Sequence, residues 1–119
     1  MGKGICTQFG SIEISNDVIS NLAGIATMEC FGIVGMVSSH IISDGINELL
    51  RREALSKGVD VIIKDDLLRI KVNVVVGYGA RVSLVADNVI EHVKYVVEKH
   101  TGLTVDKVEV YVQGVRIID

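Results

Sequence analysis

The sequence predicts an α+β fold: a two-layer sandwich of a small antiparallel or mixed sheet with helices on one face, in the order βααββαβ. Three observations carry this. Residues 59–76 alternate apolar and polar positions on either side of Asp65-Asp66, as a β-hairpin does. Val82, Val85, Ala86, Val89, Ile90, Val93, Val96 and Val97 then recur at helical spacing. Finally, 119 residues with 49% hydrophobic and 23% charged side chains suit one globular core and are too few for two. The expected organisation is a flexible N-terminus (1–8), one domain (9–115) and a short tail (116–119).

In chain order, residues 1–8 lack periodicity and are expected to fray, and Ile12 and Ile14 alternate with Ser11 and Glu13 in a first strand over 9–14. Ser15 or Asn16 can cap the helix expected over 16–30, with Asp17 favourable at its positive end. Its inward stripe reads Val18, Leu22, Ile25 and Ala26, widened by Ile19 and Ala23, so burial on more than one side is expected. Gly32 and Gly35 make 31–36 an apolar linker. A second helix is expected over 43–57, with Ile46, Leu49 and Leu50 inward, Glu48 spaced to pair with Arg52, and Gly58 as its stop. The hairpin follows, then the valine-rich helix, which Gly102 ends. Val108, Val110 and Val112 alternate with polar residues in the last strand. Without the extra helix the order is βαββαβ, which makes a ferredoxin-like sandwich one candidate.

Composition narrows the function. Twelve Lys and Arg stand against fifteen Asp and Glu, a net charge of -3, opposite in sign to a nucleic-acid footprint. Aromatic residues are only 4%, too few for a base-stacking sheet, so an RNA-binding surface is disfavoured. Mean hydropathy is +0.44, yet apolar runs such as 31–37 fall far short of the ~20 residues of a membrane span. No secretory signal is visible, and Cys6 stands where a myristoylation motif wants Ser or Thr, so a cytoplasmic location is expected. Cys6 and Cys30 lack CxxC spacing and read as incidental thiols.

Candidate chemistry is sparse. His40, His92 and His100 lack the three- or four-residue separation of a helical metal pair, so neither metal nor cofactor is expected. Cys30 has no assignable base, and Asp65 and Asp66 read as solvated turn residues. Gly77, Gly79, Ala80 and Arg81 lie between strand and helix, where free amides and the guanidinium can hold an anion. Position 82 is Val rather than a third glycine, so a dinucleotide fingerprint is absent and a structural turn is the simpler reading. Arg69, Lys71, Lys107, Glu109, Tyr111 and Gln113 project from the polar faces of two strands as a candidate recognition surface, or as an ordinary solvated face.

Gly10-Ser11-Ile12-Glu13-Ile14-Ser15, Leu22-Ala23-Gly24-Ile25-Ala26 and Gly32-Ile33-Val34-Gly35-Met36 form one half of a pattern. Lys57-Gly58-Val59, Val74-Val75-Val76-Gly77-Tyr78-Gly79, Thr101-Gly102-Leu103 and Val110-Tyr111-Val112-Gln113-Gly114-Val115 form the other. In order and spacing, over 9–115, this resembles the alkaline shock protein family of Gram-positive bacteria. Where that family often has an acidic residue before its Tyr-Gly pair, this chain has Gly77. The resemblance implies a non-catalytic cytoplasmic scaffold or adaptor in envelope stress and homeostasis. It also implies homo-oligomerisation and contact with a membrane-anchor protein or an envelope or lipid-metabolism client. The alternative is a small-anion or nucleotide-binding regulator that uses the 77–81 turn.

Overall fold

The computed structural model describes residues 3–39 and 49–117. Its fold is α+β, as the periodicities predict. The elements are β1 (Lys3–Thr7), β2 (Gly10–Ile14), α1 (Asn16–Met28), β3 (Ile33–Met36), a 3₁₀ segment (Arg52–Gly58), β4 (Val59–Lys64), β5 (Leu67–Gly77), α2 (Val82–Thr101) and β6 (Val105–Arg116). Compared with the expected βααββαβ, the observed order therefore has one additional strand before β2 and another directly after α1.

β5 organises the main sheet. One of its edges pairs antiparallel with β4 along its first half and with β3 along its second, while β6 runs parallel along the other edge. Leu68, Ile70, Val72, Val74 and Val76 point from one face of β5 into the core, where Val85, Val89, Val93 and Val97 of α2 and Ile19, Ala23 and Ala26 of α1 meet them. Both helices thus cover one sheet face, and four valines at strict i, i+4 spacing supply the inner line of α2. Their weak helix propensity is outweighed by this burial.

Local chemistry sets the boundaries. Ser15 caps α1, its Oγ accepting from the Val18 amide at 3.4 Å. Asp65 and Asp66 both adopt positive φ in the two-residue turn between Lys64 and Leu67, the geometry a tight hairpin requires. Gly102 closes α2 in the left-handed conformation at φ 75°, its amide donating to the Glu98 carbonyl.

Several expectations are corrected. Residues 3–7 do not fray: they pair with β2 in a separate two-stranded ribbon, with Ile5 opposite Ile12, and Ile5 and Ile14 pack against the core. The ferredoxin-like candidate fails because the strand before α1 lies in this ribbon, outside the main sheet. Residues 33–36 are a strand rather than a linker; buried beside β5, they need no polar alternation. The helix expected over 43–57 falls partly on residues 40–48, outside the described residues together with His40, Ile46 and Glu48. From Leu49 onward the chain is irregular and then 3₁₀ over Arg52–Gly58, and Leu55 sits against Gly24 of α1, where an added Cβ would lie 2.9 Å from Leu55 Cβ. The last strand continues to Arg116, which the sequence reading places in the tail. α1 is also rotated from expectation: it buries Ile19, Ser20, Ala23, Gly24, Ala26 and Thr27 and leaves Val18 and Ile25 exposed.

Candidate functional site

The outer face of the sheet, opposite the helices, collects the polar positions of β5 and β6. Because side chains alternate, Arg69, Lys71 and Asn73 point away from the core that Ile70, Val72 and Val74 enter. The parallel register sets Arg69 beside Lys107, Lys71 beside Glu109 and Asn73 beside Tyr111. All six residues expected on this surface, Arg69, Lys71, Lys107, Glu109, Tyr111 and Gln113, therefore share one neighbourhood.

Lateral contacts order that face. Arg69 Nε donates to Asp106 Oδ2 at 3.1 Å, and Lys71 Nζ lies 6.0 Å from the Tyr111 ring centroid. The Tyr111 hydroxyl donates to Glu109 at 3.0 Å. Gln113 Nε2 donates to Asn73 Oδ1 at 2.9 Å, and buried Asn73 passes the chain on by donating to the Gly58 carbonyl at 3.2 Å. Sequence reasoning missed Asn73 and Asp106. Asn73 was marked by a polar residue amid the valines of β5, whereas Asp106 sits at a register shift that alternation does not reveal.

The 77–81 turn has a different character. The Gly77 amide donates to the Gly32 carbonyl at 2.9 Å, Tyr78 to Arg116 at 2.7 Å and Ala80 to Gly77 at 3.1 Å. Three of its amides are thus engaged by backbone. Gly79, at φ 90° with open space around it, provides the reversal. Arg81 occupies the N-cap of α2, and its side chain makes no capping bond. Gly77, Gly79 and Ala80 line a depression of about 360 Å³ with Phe31, Gly32, Ile33 and Tyr78, while Arg81 lies outside that lining.

A third locus joins the helices. His92 Nε2 lies 2.8 Å from Glu29 Oε1, at the rim of a depression of about 410 Å³ that Cys30, Asn88, Glu91 and Tyr95 also line. Burial, and secondarily the Glu29 carboxylate, push the Cys30 thiol above its ordinary range, the opposite of what an activated nucleophile needs. Among the described residues, no three His, Cys, Asp or Glu side chains converge in a metal-holding group. Nor is any described helix long and apolar enough to cross a membrane.

Fold and surface together define a small α+β domain whose most ordered polar feature is a mixed-charge sheet face. The chain belongs to the alkaline shock protein 23 family, described as having a cell envelope-related function, whose model matches residues 4–117. The resemblance expected from the sequence is thereby established. The chain is 48% identical over 111 residues to the protein YloU of Bacillus subtilis, covering 93% of this chain and 92% of that one. Spy1614 of Streptococcus pyogenes is 42% identical over 114 residues, covering 96% and 94%, and YqhY of Bacillus subtilis 30% identical over 110, covering 92% and 80%. No solved structure matches. The family's description is cell envelope-related and names no catalytic activity.

Proposed function

We propose that this protein is a non-catalytic cytoplasmic adaptor in cell-envelope homeostasis, acting through self-association and protein–protein contacts. The observation that carries this reading is the outer face of β5 and β6. Arg69, Lys71, Glu109, Tyr111 and Gln113 each contact a neighbouring side chain on this face, so docking a partner there costs less side-chain ordering. The face offers both signs of charge and one aromatic anchor, a composition suited to a protein surface rather than to a phosphate backbone. A membrane-anchor protein or an envelope or lipid-metabolism client is the partner class this reading names.

Mild cross-linking in the native host, followed by affinity purification from separated soluble and membrane fractions, tests it. The expected result is reproducible recovery of an envelope protein with the wild type and its loss with Arg69→Glu/Lys107→Glu. Recovery of nucleic acid, or of a partner indifferent to that double reversal, overturns the assignment of this face.

A second reading, small-anion or nucleotide binding at Gly77, Gly79, Ala80 and Arg81, draws support from the placement of the Arg81 guanidinium at the positive end of α2. Calorimetric titration with nucleotides and acyl phosphates, repeated on Arg81→Glu, decides it. No heat at millimolar ligand, or the same affinity in the variant, removes this reading.

A further inference from the structure

α1 buries Ile19 together with its small residues and turns a second apolar stripe outward. Val18, Leu22, Ile25 and Met28 lie along one line of the helix, with Leu22 half-buried and Val18, Ile25 and Met28 exposed by 47, 44 and 36%. The stripe runs into a depression of about 290 Å³ lined by Ile25, Met28, Leu50 and Leu55, with Glu29 and Arg52 completing the lining. An apolar face of this kind, continuous with a groove, marks an interaction surface.

We propose that the occupant is a second copy of this chain, its α1 packed antiparallel across the first under two-fold symmetry. This rests on the self-association in the function proposed above and assigns it a surface. Charge decides both the partner and its direction. α1 contains no Lys or Arg; its charged residue is Asp17, in the first turn and on the groove side, seven and eleven residues before Gly24 and Met28. Arg52 lies at the opposite end of the stripe, beside Met28 and Glu29. Antiparallel packing brings Arg52 of each copy to Asp17 of the other, and Val18 opposite Met28. Glu29, at the C-cap of its own helix where the dipole opposes its charge, comes beside the positive end of the second helix. Parallel packing instead sets Asp17 against Asp17 and Glu29 against Glu29. The face is therefore self-complementary in one orientation, as an isologous interface must be.

Sedimentation equilibrium on the full chain tests this. Wild type is expected at twice 12.9 kDa at tens of micromolar. Ile25→Asp, at an exposed position, should be monomeric while keeping the wild-type far-UV circular dichroism spectrum. Arg52→Glu should weaken association about tenfold or more, and Asp17→Arg added to it should restore dimerisation. Oligomers of wild-type mass in both Ile25→Asp and Arg52→Glu overturn this surface while leaving self-association intact. A wild type that is monomeric throughout the concentration series overturns the surface and the self-association together.

Discussion

Gly32 and Val85 share a space that admits only one side chain. A Cβ on Gly32 would lie 2.6 Å from Cγ2 of Val85, and Gly32 stands at φ 90°, a conformation other residues rarely adopt. This contact lets the chain leaving α1 pass beneath the first turns of α2, and the Gly32 carbonyl accepts from the amide of Gly77. Gly32→Ala should therefore destabilise the protein by about 2–3 kcal/mol, combining backbone strain with overpacking. Val85→Ala in the same chain should return part of that loss. Urea unfolding of the double-mutant cycle measures it, and simple additivity would show that the clash is not the cause.

The Gln113–Asn73–Gly58 chain should be unequal in its links. Asn73→Leu leaves the Gly58 carbonyl without its donor in a buried position and should cost about 1–3 kcal/mol. Gln113→Ala, on the exposed strand, should cost less than about 1 kcal/mol. Chemical denaturation of the two variants checks the order, and equal losses would contradict it.

The end of α2 is doubly fastened. Buried Thr101 donates its hydroxyl to the Val97 carbonyl at 2.6 Å and accepts from the Leu103 amide at 3.1 Å. Thr101→Val should thus lose about 1–2 kcal/mol, and Gly102→Ala about 1 kcal/mol from its left-handed φ. Thermal unfolding reads both, and a Gly102→Ala protein as stable as wild type would show that the cap relaxes at no cost.

Cys30 should be the slower of the two thiols. Its thiol is half-buried and held above its ordinary range by burial first and Glu29 second, so its thiolate is scarce near neutral pH; Cys6 is exposed. Maleimide labelling followed by mass spectrometry should modify Cys6 first and reach Cys30 faster as pH rises. The sign for stability follows: keeping this thiol neutral favours folding below the unfolded value, and that contribution is lost as pH climbs through the raised native one. Comparable labelling rates at neutral pH would refute the assignment.

The elements with strong periodicity are legible in the order of residues alone: the β4–β5 hairpin, the valine line of α2, the Gly102 stop and the Ser15 cap. The outward parity of Arg69, Lys71, Lys107, Glu109 and Tyr111 is equally plain. β3 is not, because a buried four-residue strand shows no alternation. β1 is hidden by its brevity, since only Ile5 and its partner across the ribbon reveal it. The inward side of α1 misleads for another reason: the helix is apolar nearly all round, and the side that packs inward is the one carrying Gly24, in close approach to Leu55, with Ala23, Ala26 and Ile19, rather than the one carrying Val18 and Ile25. The His92–Glu29 contact joins residues 63 positions apart and exists only once α1 and α2 meet.

The separation of the β1–β2 ribbon from the main sheet gives the molecule two depths of opening. Amides of β5, flanked on both edges and backed by both helices, should exchange with solvent deuterium only when the whole domain unfolds. The ribbon holds to the body chiefly through Ile5 and Ile14, and two strands alone are marginal in water. It can lift away while the sheet stays closed, so its protons should be replaced long before those of the strand at the centre.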